Sequence, residues 1–382
     1  MRHLSVAYPP HLPKLFPARR QVAVHGNQAG KDYRMNNPIL FSPSISIQPS
    51  RDGFLAETVA GLSRPQKTLP CKFFYDEQGS RLFNEICELE EYYPTRAENQ
   101  ILRDNISEIA DLIGRGCRLA EFGSGTSAKT RHLLTHLPNM SGYIPIDISG
   151  PQLLESAAQL AWEFPNLEIN PLEADYAEIL ELPNTKRKPR RTVAFFPGST
   201  IGNLEPAEAV AFLRNLAFLC GSDGGLLIGV DRKKERRILE LAYNDRKGVT
   251  ARFNLNLLAR ANRELGSDFD LSAFRHRAPY NEIHGRIEMH LVSKSQQIAR
   301  LDSQEFSFEE GEYIITEYSY KYTLRDFERL ALRAGFEPVK NWEDRNHLFS
   351  VLFLRVKRQT PVFEEDFRPV WMQRPTKLAV SY

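Results

Sequence analysis

A glycine-rich turn, Glu121-Phe-Gly-Ser-Gly-Thr126, stands where a short apolar run ends and a helical pattern begins. Gly123, Ser124 and Gly125 let backbone amides approach an anionic or polar ligand there without obstruction from a Cβ. Ala128 occupies the place of the third glycine of G-x-G-x-x-G, which disfavours a dinucleotide and favours a ligand ending in an amino-acid carboxylate. Asp147 closes the next apolar run, about 20 residues on, where a carboxylate can accept both hydroxyls of an adenosyl ribose. Asp175 and Tyr176 follow the third run, placed to take an adenine amino group and to cover the ring. Taken singly, the glycines could form a plain turn and the aspartates could cap helices. Three such features at the ends of three consecutive strands, facing one edge, point instead to a shared ligand.

These residues need a scaffold that brings successive strand ends together, and the hydrophobic pattern supplies one. From Cys117 onward, short apolar runs alternate with helical patterns, as in a parallel sheet with crossover helices. The pattern predicts strands at 117–122, 143–148, 167–169, 192–196 and 225–231, with helices at 128–137, 151–162 and 206–220 between them. Alternation stops after Asp231 and resumes with a helix at 323–334 and two strands near 337–342 and 347–356. A terminal pair joined by so short a turn must be antiparallel. The expected fold class is therefore α/β: a Rossmann-like doubly wound sheet of the class I methyltransferase type with an antiparallel terminal strand, plus a second, smaller α+β substrate-binding domain. The expected boundaries are a tail over 1–45, a substrate domain in two parts over 46–110 and 232–322, a donor-binding domain over 111–231 completed by 323–358, and a C-terminal tail over 359–382.

Composition narrows the partners. The chain has 382 residues, 42% of them hydrophobic, enough to bury a substantial core. Fifty Lys and Arg against 48 Asp and Glu leave a net charge of +2, scattered rather than gathered into a stripe, so nucleic acid is not expected as a partner. No run approaches the roughly 20 apolar residues of a membrane span, so a soluble protein is expected, and its four cysteines read as reduced thiols of a cytoplasmic protein. Cys71, Cys87, Cys117 and Cys220 lack CxxC spacing and the histidines lack ligand spacing, so neither disulfides nor a metal is expected. The first 45 residues carry six basic residues, one acid (Asp32) and six prolines without periodicity, the composition of a tail.

Ahead of the sheet lie two distinctive stretches, Lys72-Phe-Phe-Tyr-Asp-Glu-Gln-Gly-Ser80 and Glu91-Tyr-Tyr-Pro-Thr-Arg-Ala-Glu98. With the glycine-rich turn, Phe196-Pro-Gly-Ser-Thr-Ile-Gly-Asn203, Ala242-Tyr-Asn-Asp245, Gly248-Val-Thr250 and Thr316-Glu-Tyr-Ser-Tyr-Lys-Tyr-Thr323, they make a chain that resembles the histidine Nα-methyltransferases of ergothioneine biosynthesis over about residues 55–356. The resemblance implies S-adenosylmethionine as methyl donor, free L-histidine as acceptor, and hercynine as the product of three transfers. It implies that Asn203 holds the α-amino and carboxylate groups, that Tyr92 and Tyr243 bind the carboxylate, and that Tyr75 lies near the amino group. Glu317 and Ser319 would grip the imidazole, and Met289 would line the pocket. Phenols suit such a site because they donate to an anion while their faces attract a growing cation. Lys129 could neutralise the donor carboxylate, but a lysine on a helix is expected to be solvated and is left outside the site. The enzyme is expected to act as a monomer.

Overall fold

The computed structural model describes residues 51–357, apart from Thr126, Ile179 and Leu180. Both expected tails lie outside the described residues.

The chain enters through four helices: α1 (Arg51–Leu62), α2 (Glu77–Cys87), α3 (Tyr93–Asp104) and α4 (Ile106–Ile113). Alternation then begins with β1 (Cys117–Phe122), α5 (Ala128–His136), β2 (Gly142–Asp147), α6 (Gly150–Glu163), β3 (Leu172–Glu173), β4 (Arg191–Phe196), α7 (Pro206–Cys220) and β5 (Gly225–Asp231). Next come α8 (Arg236–Tyr243), α9 (Val249–Leu265) and six strands: β6 (Phe274–Arg277), β7 (Tyr280–Asn281), β8 (Arg286–Ser293), β9 (Gln297–Leu301), β10 (Gln304–Phe308) and β11 (Tyr313–Tyr320). The chain closes with α10 (Leu324–Arg333), β12 (Phe336–Glu343) and β13 (Phe349–Val356).

Seven strands form one sheet in the order β12-β13-β5-β4-β1-β2-β3. The five strands from β5 to the β3 edge pair in parallel, whereas β13 runs antiparallel to β5 and β12 antiparallel to β13. This is the expected class I methyltransferase sheet. Its centre is buried on both faces, so β4 and β5 read as continuous apolar runs rather than alternating ones. One face packs against α7 and α10 through Phe212, Leu213 and Phe327, the other against α3, α4 and α5 through Ile101, Ile109 and Leu133. The order reverses between β1 and β4, which opens a crevice at the carboxyl ends of the strands.

The third strand departs from expectation. Ile169 makes only an isolated bridge to Tyr143, and the ladder resumes at Leu172–Glu173 opposite Ile146 and Asp147. Pro171 stands between them and has no N–H to give the ladder, so the pairing breaks in two. A separate antiparallel sheet, β11-β8-β6, joins α1, α2, α8 and α9 around its own aromatic-rich core.

Candidate active site

A cavity of about 970 Å³ opens at the carboxyl ends of the parallel strands. Gly123, Ser124, Gly125, Asp147, Asp175, Tyr176, Asn203, Tyr75, Tyr92 and Glu317 all line it. Tyr243, Ser319 and Met289 do not; they stand one residue behind the wall. Tyr243 meets Tyr92 edge-on at 6.2 Å between ring centroids, Ser319 lies two residues along β11 from Glu317, and Met289 pairs across the ladder with Glu317.

On the sheet side, the turn after β1 is fastened to β2. Gly123 and Ser124 donate their N–H groups to the Ile146 carbonyl, and Gly125 N–H donates to Asp147 Oδ2 at 2.9 Å. Gly123 and Gly125 have φ of +75° and +50°, and a Cβ added to either would meet no atom within 4 Å. The turn is thus open on the Cβ side of both glycines, but the N–H groups of Gly123, Ser124 and Gly125 are already engaged, so it offers a ligand close approach rather than free amide donors. Asp147 Oδ1 accepts from Ser149 N–H at 2.9 Å, so this carboxylate also steadies the start of α6. Burial raises its pKa, and each oxygen keeps a lone pair for a ligand hydroxyl. Tyr176 packs edge-on against Phe196 and Phe212, which fixes its ring as a flat wall. Asp175 accepts from Lys72 Nζ at 3.3 Å.

Facing the sheet, the aromatic motifs are positioned by capping. Asp76 Oδ1 accepts from Gly79 N–H at 2.6 Å to start α2, and from Asn256 Nδ2 at 2.8 Å on α9. Tyr75 is therefore held at the junction, its ring edge-on to Phe83 and Phe253. Arg96 donates to the carbonyls of Leu89 at 2.5 Å, Glu90 at 2.5 Å and Tyr92 at 3.2 Å, clamping the loop that carries Tyr92. Asp245 accepts from Val249 and Thr250 N–H at 2.9 and 2.8 Å, and Asn244 bonds Ala278 in both directions. Those contacts hold Tyr243 at the end of α8.

The β11 wall depends on a bulge at Thr316, whose hydroxyl donates to Asn254 Oδ1 at 2.7 Å. The extra residue breaks the alternation, so Ile315, Thr316, Glu317 and Tyr318 all reach the cavity. Burial lifts Glu317 from 4.5 to about 7, opposed only by the charge of Lys321, and no hydrogen bond from a described residue reaches its carboxylate. Desolvation holds Tyr75 and Tyr92 well above ordinary phenols. Both therefore stay neutral donors. Asn203 sits on the turn Thr200–Asn203 with Nδ2 3.9 Å from Cys71 Sγ, and Gly202 lets this turn press on β11, since a Cβ there would fall 2.8 Å from the Tyr320 carbonyl oxygen.

Lys129, which the sequence reading left outside the site as a solvated helix lysine, lines the cavity and pairs with Glu98, which is fully buried and accepts from Gly198 N–H at 2.9 Å. Its place in the first turn after the glycine-rich loop was the available signal. Glu121 is buried with its carboxylate bonded by Thr130 at 2.5 Å and by Tyr143, and burial raises it to about 7. Behind β11, Lys321, Asp231, Lys234 and Tyr93 form a buried network with Tyr243 and Ser319. Among the described residues no three His, Cys, Asp or Glu cluster as metal ligands, and no helix is long and apolar enough to cross a membrane.

One wall thus offers a glycine-rich turn and the Asp147 carboxylate. The other offers neutral phenols, an amide and a carboxylate that no described residue hydrogen-bonds. Such a cavity can hold an adenosyl donor against a small zwitterion. Comparison with known proteins agrees. The chain is 42% identical to a histidine N-alpha-methyltransferase of Mycolicibacterium smegmatis over 78% of this chain and 94% of that one. It is 40% identical to the Mycobacterium tuberculosis protein of the same name, over 75% and 90%. It is 29% identical to ergothioneine biosynthesis protein 1 of Neurospora crassa, over 75% of this chain and 33% of that longer one. Residues 54–356 match the model of the histidine-specific, S-adenosylmethionine-dependent methyltransferases, and the chain belongs to that family.

Proposed function

We propose that this protein methylates the α-amino group of free L-histidine in three successive transfers, giving hercynine and opening ergothioneine biosynthesis. The observation that carries the substrate half is Glu317, a half-buried carboxylate with no hydrogen-bond partner among the described residues, in the cavity wall with the glycine-rich turn. An acceptor left open in a polar cavity favours a ligand that brings an N–H, and it penalises analogues that lack one.

In this reading, Gly123, Ser124 and Gly125 receive the amino-acid end of the donor, Asp147 its ribose, and Asp175 and Tyr176 its adenine. Bound there, S-adenosylmethionine supplies a sulfonium-borne methyl group for in-line transfer to an amine. Asn203, Tyr92 and Tyr243 orient the histidine carboxylate and amine, and Glu317 and Ser319 hold its ring beside Met289. Positioning is then the main source of acceleration. Tyr75 is a phenol at neutral pH, so it can relay a proton through its hydroxyl but does not stand as a phenolate base. Water carries the amine proton out. Aromatic faces rather than a carboxylate clamp surround the nitrogen, which suits a product bearing a fixed positive charge.

The reading divides the chain into a donor-binding part, 111–231 with 323–358, and an acceptor-binding part, 46–110 with 232–322. It also has the enzyme acting as a cytoplasmic monomer without a metal. The test is mass spectrometry of L-histidine incubated with the purified protein and S-adenosylmethionine. One, two and then three added methyl groups are expected, with the trimethylated species accumulating and no loss of turnover in a metal chelator. Unmodified histidine alongside intact donor binding would defeat the substrate assignment.

A further inference from the structure

Behind β11, one lysine is bonded to both hydroxyls that the substrate reading assigns to histidine. Lys321 is fully buried, and its three N–H donors are all engaged: Asp231 Oδ2 at 2.7 Å, Ser319 Oγ at 2.8 Å and Tyr243 OH at 3.0 Å. Tyr243 and Ser319 are also bonded to each other at 2.8 Å. Donors and acceptors can then be counted. The Tyr243 oxygen receives Lys321 and gives its own proton to Ser319. Ser319 Oγ then has both lone pairs occupied, and its remaining O–H can only donate. If the Tyr243–Ser319 bond runs the other way, the Tyr243 proton is left free instead and Ser319 Oγ keeps one lone pair, so commitment of Ser319 requires Tyr243 to be the donor. In either arrangement the pair offers a donor.

From this we infer that Lys321 is a positioning residue: with Lys321 and Tyr243 both donating to Ser319 Oγ, the Ser319 hydroxyl is committed to donate, so that the site selects the neutral imidazole of its substrate and rejects the imidazolium. This rests on the histidine reading given above. A neutral ring presents one N–H, which Glu317 accepts, and one bare nitrogen, which accepts from Ser319. A protonated ring turns a second N–H toward a hydroxyl with no lone pair to spare and brings a cation toward Lys321. The ionisable groups around Lys321 are Asp231 on β5, Lys234 beyond it, Tyr93 on α3, Tyr243 on α8, Tyr280 on β7, and Glu317 and Tyr322 on either side along its own chain segment. Two lysines face one aspartate, so the core behind the wall carries an excess of positive charge. Burial lowers Lys234 to about 8, whereas the Asp231 carboxylate keeps Lys321 charged.

The experiment compares L-histidine with the two pyrrolylalanines, which keep a ring N–H and replace the acceptor nitrogen with C–H. Dissociation constants are measured by calorimetry in the presence of saturating S-adenosylhomocysteine, for the wild type and for Lys321→Met. At pH 8 the wild type should prefer histidine over the better pyrrole by at least about tenfold, and Lys321→Met should reduce that preference to under about threefold. S-adenosylhomocysteine affinity should stay within about twofold. Equal weakening of histidine and pyrrole would make Lys321 a structural residue and overturn the inference. Should the variant not fold, the wild type answers alone. Histidine and pyrrole share Glu317 and the α-amine, so their ratio isolates the ring. The preference should shrink about tenfold between pH 8 and pH 5.5, because the imidazole protonates near 6.5. An unchanged preference would show that imidazolium is accepted, which refutes the proposal. Failure of the wild type to bind histidine or either pyrrole, with S-adenosylhomocysteine still bound, would instead remove the substrate reading and take the inference with it.

Discussion

Glu317 and Asp147 are two half-buried carboxylates in one cavity, and their partners separate their behaviour. Asp147 accepts two backbone N–H groups, which offset part of its desolvation, whereas among the described residues Glu317 has only the charge of Lys321 to favour ionisation. Glu317 therefore destabilises the ligand-free fold. Its folded pKa of about 7 lies above the ordinary 4.5, so the folded state holds a proton that the unfolded state has lost. Stability falls as pH rises through that window, and the loss is complete above about 7. Glu317→Gln should match the wild type near pH 4.5 and exceed it at pH 8, by at most about 3 kcal/mol, when the two are compared by denaturant unfolding. Histidine affinity should fall at least about tenfold in the same variant. A variant no more stable at pH 8 would show that the carboxylate is better compensated than its partners indicate. Asp147→Ala should raise the dissociation constant of S-adenosylhomocysteine at least about tenfold by removing a charged acceptor, while Asp147→Asn, which still accepts from Gly125, should lose less. The cradle and Asp147 were legible because each lies at the end of a strand that hydrophobic runs make visible. Lys129 and Lys321 were not, because a lysine has the same letter in water as in a core, and only the buried Glu98 and Asp231 opposite them tell the difference.

At the scale of elements, the sheet could be read because strands buried on both faces leave continuous apolar runs, as in Thr192–Phe196 and Gly225–Val230. The third strand was misplaced because Pro171 interrupts a pairing whose hydrophobic signal lies before it and whose ladder lies after it. Between Asp231 and Thr323 the sequence revealed less. The β11 bulge is held by Thr316 against Asn254, which lies 62 positions earlier in the chain, and no local pattern announces such a contact. Other residues of the quoted motifs hold the structure: Asp76, Arg96 and Asp245 cap or clamp the segments that carry Tyr75, Tyr92 and Tyr243. This separates orientation from contact in a testable way. Asp245→Ala removes the acceptor for two N–H groups at the start of α9 and should destabilise the fold by about 1–2 kcal/mol in denaturant unfolding. If the cap also sets Tyr243, KM for histidine should rise severalfold with S-adenosylhomocysteine affinity unchanged. Loss of stability without that rise would confine Asp245 to the helix.

Across the whole molecule, the cavity is bounded by two sets of elements with separate cores. The carboxyl ends of β1 to β4 rest on the sheet and its covering helices, while Tyr75, Tyr92 and Glu317 belong to segments packed around Phe253, Phe274 and Met289. Each ligand should then stabilise mainly the elements that hold it, since a ligand shifts local opening only where it binds the closed form better than the open one. Hydrogen exchange followed by mass spectrometry reads this directly. S-adenosylhomocysteine should slow exchange at residues 121–127, 146–152 and 173–176, where backbone amides form the cradle and the ends of β2 and β3. L-histidine should slow exchange at 73–80, 89–96, 243–250 and 313–321. If histidine alone protects the glycine-rich turn as strongly as S-adenosylhomocysteine does, the two halves are one cooperative unit, and the division of the chain into donor and acceptor parts is wrong. If each ligand protects its own set and the pair together protects more than the sum, the two walls close on one another only when both reactants are present. That is the behaviour expected of a site that must exclude water before a neutral amine meets its methyl donor.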